Sequence, residues 1–151
     1  AGFRPIVNLT GHGLGKWTLH DSPQIPNARI GIKGSLEAGS IFAIEPFATS
    51  GKGYVEDKGK PEVFMLERKP KPSNKIDLET LKTIQSWNGL PIARRYFNHL
   101  PKKPLERTLK ELIKQGTLRQ YPPLVEVSNA QIGWKEHSIY LGPNGTEVLT
   151  T

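Results

Sequence analysis

Two strand-forming stretches, separated by a basic, helix-forming segment, constrain this chain more than any other feature. Residues 1–66 carry glycines and short apolar runs, and residues 121–151 return to the same character. A strand with one apolar face cannot bury it alone, so the two stretches must meet in space. Residues 67–120 read as an insertion between them. The expected class is α+β: a two-part body, 1–66 with 121–151, carrying a helical subdomain.

The local signals are specific. Ser40-Ile41-Phe42-Ala43-Ile44-Glu45-Pro46-Phe47 predicts a buried strand stopped by a proline. Gly53–Glu56 and Glu62–Leu66 predict two more, and no helical pattern occurs before Lys69. Further strands are expected at Leu124–Val127, Lys135–Leu141 and Thr146–Thr150, the last two joined by a turn at Pro143-Asn144-Gly145. In the insertion, Lys69-Pro70-Lys71-Pro72-Ser73-Asn74 marks a boundary. Asp77 can cap a helix bearing Leu78, Leu81, Ile84 and Trp87, stopped at Asn88-Gly89. A second helix is expected from Pro91 to His99. A third opens at Pro104, carries Leu105, Leu109, Leu112 and Ile113, and ends at Gly116. Three short helices followed by a strand suggest a winged-helix module.

Charge follows this division. The net charge is +7, and eleven Lys/Arg against four Asp/Glu between Lys71 and Arg119 account for it. Clustered positive charge fits a polyanionic partner, or simply a solvated helical surface. With no cysteine there is no disulfide and no thiolate metal site. No apolar run reaches the roughly 18 residues of a membrane span, and Ala1-Gly2-Phe3-Arg4-Pro5 does not read as a signal peptide.

Metal chemistry without cysteine needs His, Asp and Glu. His12 lies between glycines in Gly11-His12-Gly13-Leu14-Gly15, where other atoms can approach its ring. Glu45 ends an apolar run, where a carboxylate is costly to bury without a cation or donors. Glu136 is expected within a strand beside His137, the two facing opposite sides. By spacing alone, His12 reads more readily as a loop or turn residue, Glu45 as a solvated or salt-bridged carboxylate, and Glu136 as an exposed strand residue. The run Gly11–Lys16 is not a phosphate loop: the spacing is short, and Trp17 stands where Ser or Thr is needed.

Taken together and in order, the motifs are more specific. Ile6-Val7-Asn8-Leu9-Thr10-Gly11-His12, Leu19-His20, Ile25-Pro26, Phe42–Thr49 with Gly51-Lys52-Gly53, Arg94-Arg95, Tyr121-Pro122-Pro123-Leu124 and Glu136-His137-Ser138-Ile139 resemble type II methionine aminopeptidases, the archaeal form in particular. The resemblance spans nearly the whole chain. It implies the C-terminal half of a pita-bread (creatinase/aminopeptidase) fold, with 67–120 as the type II helical insertion. It implies removal of the initiator methionine from nascent proteins in the cytoplasm, using two divalent ions (Co, Mn, Fe or Zn). Carried over, His12, Glu45 and Glu136 are metal ligands, with Glu45 also the proton acceptor. His20 contacts the scissile peptide, and Leu19, Val63, Pro91 and Tyr121 line the substrate site.

The sequence departs from the family at three places. Gly133-Trp134-Lys135 replaces Ala-Gln-Phe before the bridging Glu, Asp21 follows His20 where a small residue is usual, and Val63 stands at a usual histidine. The family's two aspartate ligands and a further histidine belong to the first half of the fold. One His and two Glu cannot fill two coordination shells. The expectation is therefore a two-chain enzyme, from a split gene or a cut polypeptide, with the partner supplying those residues. The alternative is a non-catalytic protein of the same fold that binds RNA or ribosomes. Retention of His12, His20, Glu45 and Glu136 together favours the enzyme.

Overall fold

The structure, a computed structural model, describes residues 2–29, 31 and 35–150. It divides into two compact units, Ala1–Glu56 with Leu124–Thr151 (the body) and Asp57–Pro123 (the insert). In chain order the strands are β1 (Arg4–Pro5), β2 (Thr10–Gly15), β3 (Thr18–Pro26), β4 (Ile41–Ile44), β5 (Phe47–Thr49) and β6 (Val55–Asp57). The insert follows with β7 (Val63–Leu66), α1 (Leu78–Gln85), β8 (Ile92–Ala93), a 3-10 turn (Arg94–Phe97), α2 (Lys102–Lys114) and β9 (Leu118–Tyr121). The chain then runs through β10 (Leu124–Glu126), β11 (Ile132–Trp134), β12 (His137–Gly142) and β13 (Gly145–Val148).

The body contains a five-stranded sheet of order β13-β12-β4-β2-β3 and a three-stranded sheet of order β1-β5-β11, with β6 paired to β10. Both larger sheets are antiparallel. The two stretches expected to meet do so, because β4 and β5 pair with β12 and β11. The single strand expected over Ser40–Phe47 is two. Pro46 has no N–H to donate, so the ladder opens at Glu45-Pro46 and the chain passes into the second sheet. The opposite chain opens in the same place. Lys135-Glu136 lies between β11 and β12, so Glu136 is not within a strand as expected. The final hairpin has the expected turn, with Gly142 opposite Gly145 across Pro143-Asn144.

The insert has its own core of Phe64, Ile84, Ile92, Phe97, Leu100, Leu105, Leu109, Leu112 and Leu118. α1 starts where the sequence indicates, with the Asp77 side chain accepting from the Thr80 amide at 2.9 Å. Its buried face differs from the expected one. Leu78 in the first turn is 71% exposed, while Thr80 is buried and its hydroxyl donates to Asp77. The helix expected over Pro91–His99 is instead β8 followed by the 3-10 turn. Ile92 pairs with Phe64 on the central strand of the β8-β7-β9 sheet, and that pairing outweighs a weak helical preference. α2 begins before Pro104, which sits in the first turn, where its missing N–H has no helical partner to lose.

Arg94 fastens this unit. It ion-pairs with Glu62 at 3.1 Å and with Glu106 on α2, and lies over the Phe64 ring. Arg94→Met is expected to destabilise the insert by about 1 kcal/mol, since it removes two ion pairs whose carboxylates, Glu62 and Glu106, still reach water. Urea unfolding followed by Trp87 fluorescence reads this.

Among the described residues, the body's fully buried apolar side chains are Ile6, Phe42, Ala43 and Val55. Phe3, Ile41, Trp134, Val148 and Leu149 are exposed. No helix among the described residues is long and apolar enough to cross a membrane.

Candidate metal centre

Strand register brings three side chains of the body, His12, Glu45 and Glu136, to one sheet face. His137 pairs with Ile44 across β12–β4, and Trp134 with Phe47 across β11–β5. Each chain spends two residues between these pairs, so the register carries through the opening. Glu45 then lies opposite Glu136, and Pro46 opposite Lys135. The Lys135 amide donates to the Pro46 carbonyl at 3.4 Å, which makes that pair the hydrogen-bonded type. The next pair along, Glu45 and Glu136, is therefore of the non-hydrogen-bonded type, in which side chains are closest. His12 pairs with Ala43, two residues from Glu45 on the same face.

The hairpin β2–β3 adds His20. His12 pairs with Gln24 but Gly13 with Asp21, so β3 gains two residues at that point and a further irregularity follows before Gly15. This slip draws His20 back along β2 toward His12. The two imidazoles meet edge to face, with centroids 4.5 Å apart. Leu19, half-buried, precedes His20 on β3.

The glycines beside His12 have a definite cause. A Cβ on Gly11 would collide with the Ala43 carbonyl oxygen, and one on Gly13 with that of Ser22. β2 is squeezed between its neighbours where His12 must sit, so the approaching atoms are backbone. Gly13→Ala is expected to cost about 1–3 kcal/mol by overpacking and to push β3 away, so that the upfield ring-current shifts between His12 and His20 weaken in proton NMR.

Electrostatics mark this site out. His12 is buried, and its Nδ1 faces the Gly13 carbonyl oxygen at 3.0 Å. A carbonyl only accepts, so Nδ1 carries the proton. Nε2 faces Glu45 Oε1 at 3.3 Å. Burial first, and the Glu136 charge second, raise the Glu45 carboxyl above its ordinary value, while His12 pulls the other way. Two opposed carboxylates repel each other until a proton or a cation comes between them. The oxygen and nitrogen donors suit a first-row divalent ion, and Nδ1 is already anchored by the outer contact such ligands use. Among the described residues, however, no three of His, Cys, Asp and Glu are arranged to hold a metal ion by themselves.

His137 turns away, its Nδ1 meeting the Thr150 carbonyl at 2.7 Å. Val63, Pro91 and Tyr121 belong to the insert, where Val63 and Tyr121 lie directly opposite on β7–β9 and Pro91 immediately precedes β8. Burial raises the Tyr121 hydroxyl pKa, the Arg119 charge acting against it. The sequence reading overlooked one carboxylate. Glu126 is 1% exposed and accepts from the amides of Lys52, Gly53, Ser128 and Ala130. Nothing in the run Leu124-Val125-Glu126-Val127 marks it, because half of its amide donors, Lys52 and Gly53, come from a segment more than seventy residues away.

Known proteins resemble this chain over nearly its whole length. The profile of metallopeptidase family M24 matches residues 1–83. A methionine aminopeptidase of Archaeoglobus fulgidus is 38% identical over 99% of this chain and 50% of its own length. One from Methanothermobacter thermautotrophicus is 32% identical over 99% of this chain and 50% of its own. Methionine aminopeptidase 2 of Komagataella phaffii is 33% identical over 97% of this chain and 34% of its own. The chain thus spans half or less of the length of these relatives. Among solved structures, that of a thermophilic Arx1 superposes with a TM-score of 0.76 at 17% identity, over 97% of this chain and 41% of that one. A Thermotoga maritima methionine aminopeptidase gives a TM-score of 0.50 at 22% identity, over 99% and 36%. At such identities these two likenesses speak for the fold alone: the α+β, pita-bread architecture.

Proposed function

Because the chain belongs to metallopeptidase family M24, we propose that it forms the C-terminal part of a methionine aminopeptidase that removes the initiator methionine from nascent proteins. The observation that carries this reading is the Glu45–Glu136 pair with His12 Nε2 aimed at Glu45. His12, Glu45 and Glu136 would hold divalent metal, completed by two aspartates and a histidine from the complementary half of the fold. The relatives' greater length and the exposed apolar side chains of the body, Phe3, Trp134 and Val148 among them, support such a half. When bound, the metal pair supplies Lewis-acid activation and an acidified water.

The chain's own residues do the rest. Glu45, its carboxyl raised above its ordinary value by burial and then by the Glu136 charge, is suited to take a proton. His20 is placed to donate a hydrogen bond to charge developing on the scissile carbonyl. Within the insert, Val63 and Pro91 would meet the methionine side chain, worth roughly 2 kcal/mol of burial, with Tyr121 opposite Val63 on β9. A cytoplasmic site of action goes with that substrate. The test is to combine the chain with the complementary half and assay Met-Ala-Ser hydrolysis against divalent metal. Hydrolysis that needs both parts and is stopped by a chelator supports the reading. A folded, metal-loaded pair without activity overturns it.

One observation favours a second reading, a non-catalytic protein that binds RNA or ribosomes. Every exposed residue of α2 is basic: Lys102, Lys103, Arg107, Lys110 and Lys114. The last four recur at helical spacing and form a stripe about 16 Å long. If this reading holds, binding to a 20-nucleotide RNA weakens steeply with salt, and Lys110→Glu with Lys114→Glu reduces the salt slope by about 2. Salt-independent or absent binding removes it.

A further inference from the structure

The carboxylate pair depends on register, and a slip of one residue between β5 and β11 would turn Glu136 to the other face. What holds that register lies at the far end of the two strands. Just beyond β5, the amides of Lys52 and Gly53 donate to Glu126 Oε1 at 2.5 and 3.2 Å. Just before β11, the Ser128 and Ala130 amides donate to Glu126 Oε2 at 2.6 and 3.3 Å, and the Ser128 hydroxyl joins them. One buried side chain therefore grips both chains where the pairing starts. Gly51 is packed so tightly on this carboxylate that a Cβ there would come within 2.6 Å of it. A second tie runs alongside, with Thr49 Oγ1 donating to the Gln131 carbonyl at 2.7 Å and accepting from the Gly51 amide.

From this geometry we infer that Glu126 is the positioning residue of the site: its clamp on residues 52–53 and 128–130 sets the β5–β11 register and so holds Glu45 opposite Glu136. A carboxylate is required because both oxygens accept, one from each chain. A glutamine offers one oxygen and would place an NH2 against amide donors. The inference rests on the metal-site reading for its consequence, though the clamp itself does not.

The test compares Glu126→Gln with Val55→Ala, which loosens a buried residue of β6, the strand paired with β10, but removes no donor or acceptor of the clamp. In the wild-type chain, a Glu45–Glu136 Hα–Hα cross-peak is expected in NMR, beside the equivalent Ala43–Ser138 one. In Glu126→Gln the first should be lost or strongly weakened while the second persists; Val55→Ala should keep both. Cobalt(II) titration of the chain combined with its complementary half should show an affinity loss of about tenfold or more for Glu126→Gln and little for Val55→Ala. An unchanged Glu45–Glu136 cross-peak in Glu126→Gln overturns the inference, as does equal loss in both variants. If the wild-type pair binds no cobalt, the metal-site reading fails and the cross-peaks alone decide the role of Glu126.

Discussion

Glu45→Gln in the complemented enzyme is expected to lower kcat/KM by roughly 10²–10⁴-fold, the range for loss of a positioned proton acceptor. The same change should stabilise the chain when no metal is present, and this opposition makes the prediction discriminating. Burial and the facing Glu136 raise the folded-state pKa of Glu45 above the ordinary 4.5. The folded chain therefore favours the protonated form. Below 4.5 both folded and unfolded chains hold the proton, and Glu45 carries no penalty. As pH rises through the folded pKa, ionisation in place costs stability that the unfolded chain does not lose. Glutamine cannot ionise, so metal-free Glu45→Gln should melt higher than wild type at neutral pH. The two should converge below 4.5. Added divalent metal should stabilise wild type and leave the variant behind. Melting curves at the two pH values, with and without manganese, read all three. Equal melting at neutral pH without metal would mean that neither burial nor the facing Glu136 raises the Glu45 carboxyl.

Glu126→Gln should give the largest loss of stability of any single polar change in the body, a fall in Tm of about 5–10 °C at neutral pH. The carboxyl is pushed down to about 2, chiefly by the Ser128 side chain and then by the amides of Ser128, Lys52 and Ala130, against the opposing effect of burial. Its contribution is thus fully present above 4.5 and is lost as pH falls from there toward 2. Wild type should lose stability steeply over that window. The variant should change less there, because its clamp is already gone. Acid titration followed by Trp134 fluorescence measures the difference, and parallel acid limbs would show that the clamp is not carried by the charge.

Much of the site was legible in residue order. His12 between glycines, Glu45 at a proline and Glu136 before His137-Ser138-Ile139 stand out only when read together, and the structure brings all three to one face. The glycines were legible as close approaches, but not what approaches: the backbone of Ala43 and Ser22. Pro46 was legible as a strand end, but not the matching break at Lys135-Glu136, which contains no proline. It follows from pairing with a strand that has one. The helix expected at Pro91–His99 failed because Ile92 is held by Phe64 across a sheet, and local propensity does not see such a partner. Leu78 and Thr80 exchanged places for the same reason: periodicity finds an apolar stripe, while the tertiary core chooses how the helix is turned toward it.

The sequence by itself determined the strand-rich body, the basic insert and the residue types able to meet a metal, because these follow from composition, turn chemistry and short-range order; it pointed to the family through the resemblance of its motifs read in order. Only the tertiary structure decided that Glu45 faces Glu136, that His20 reaches His12 through an irregular hairpin, and that Glu126 clamps two distant segments. Those are matters of register between strands far apart in the chain. Register is set by pairing energies summed over both strands, which no single stretch of residues contains.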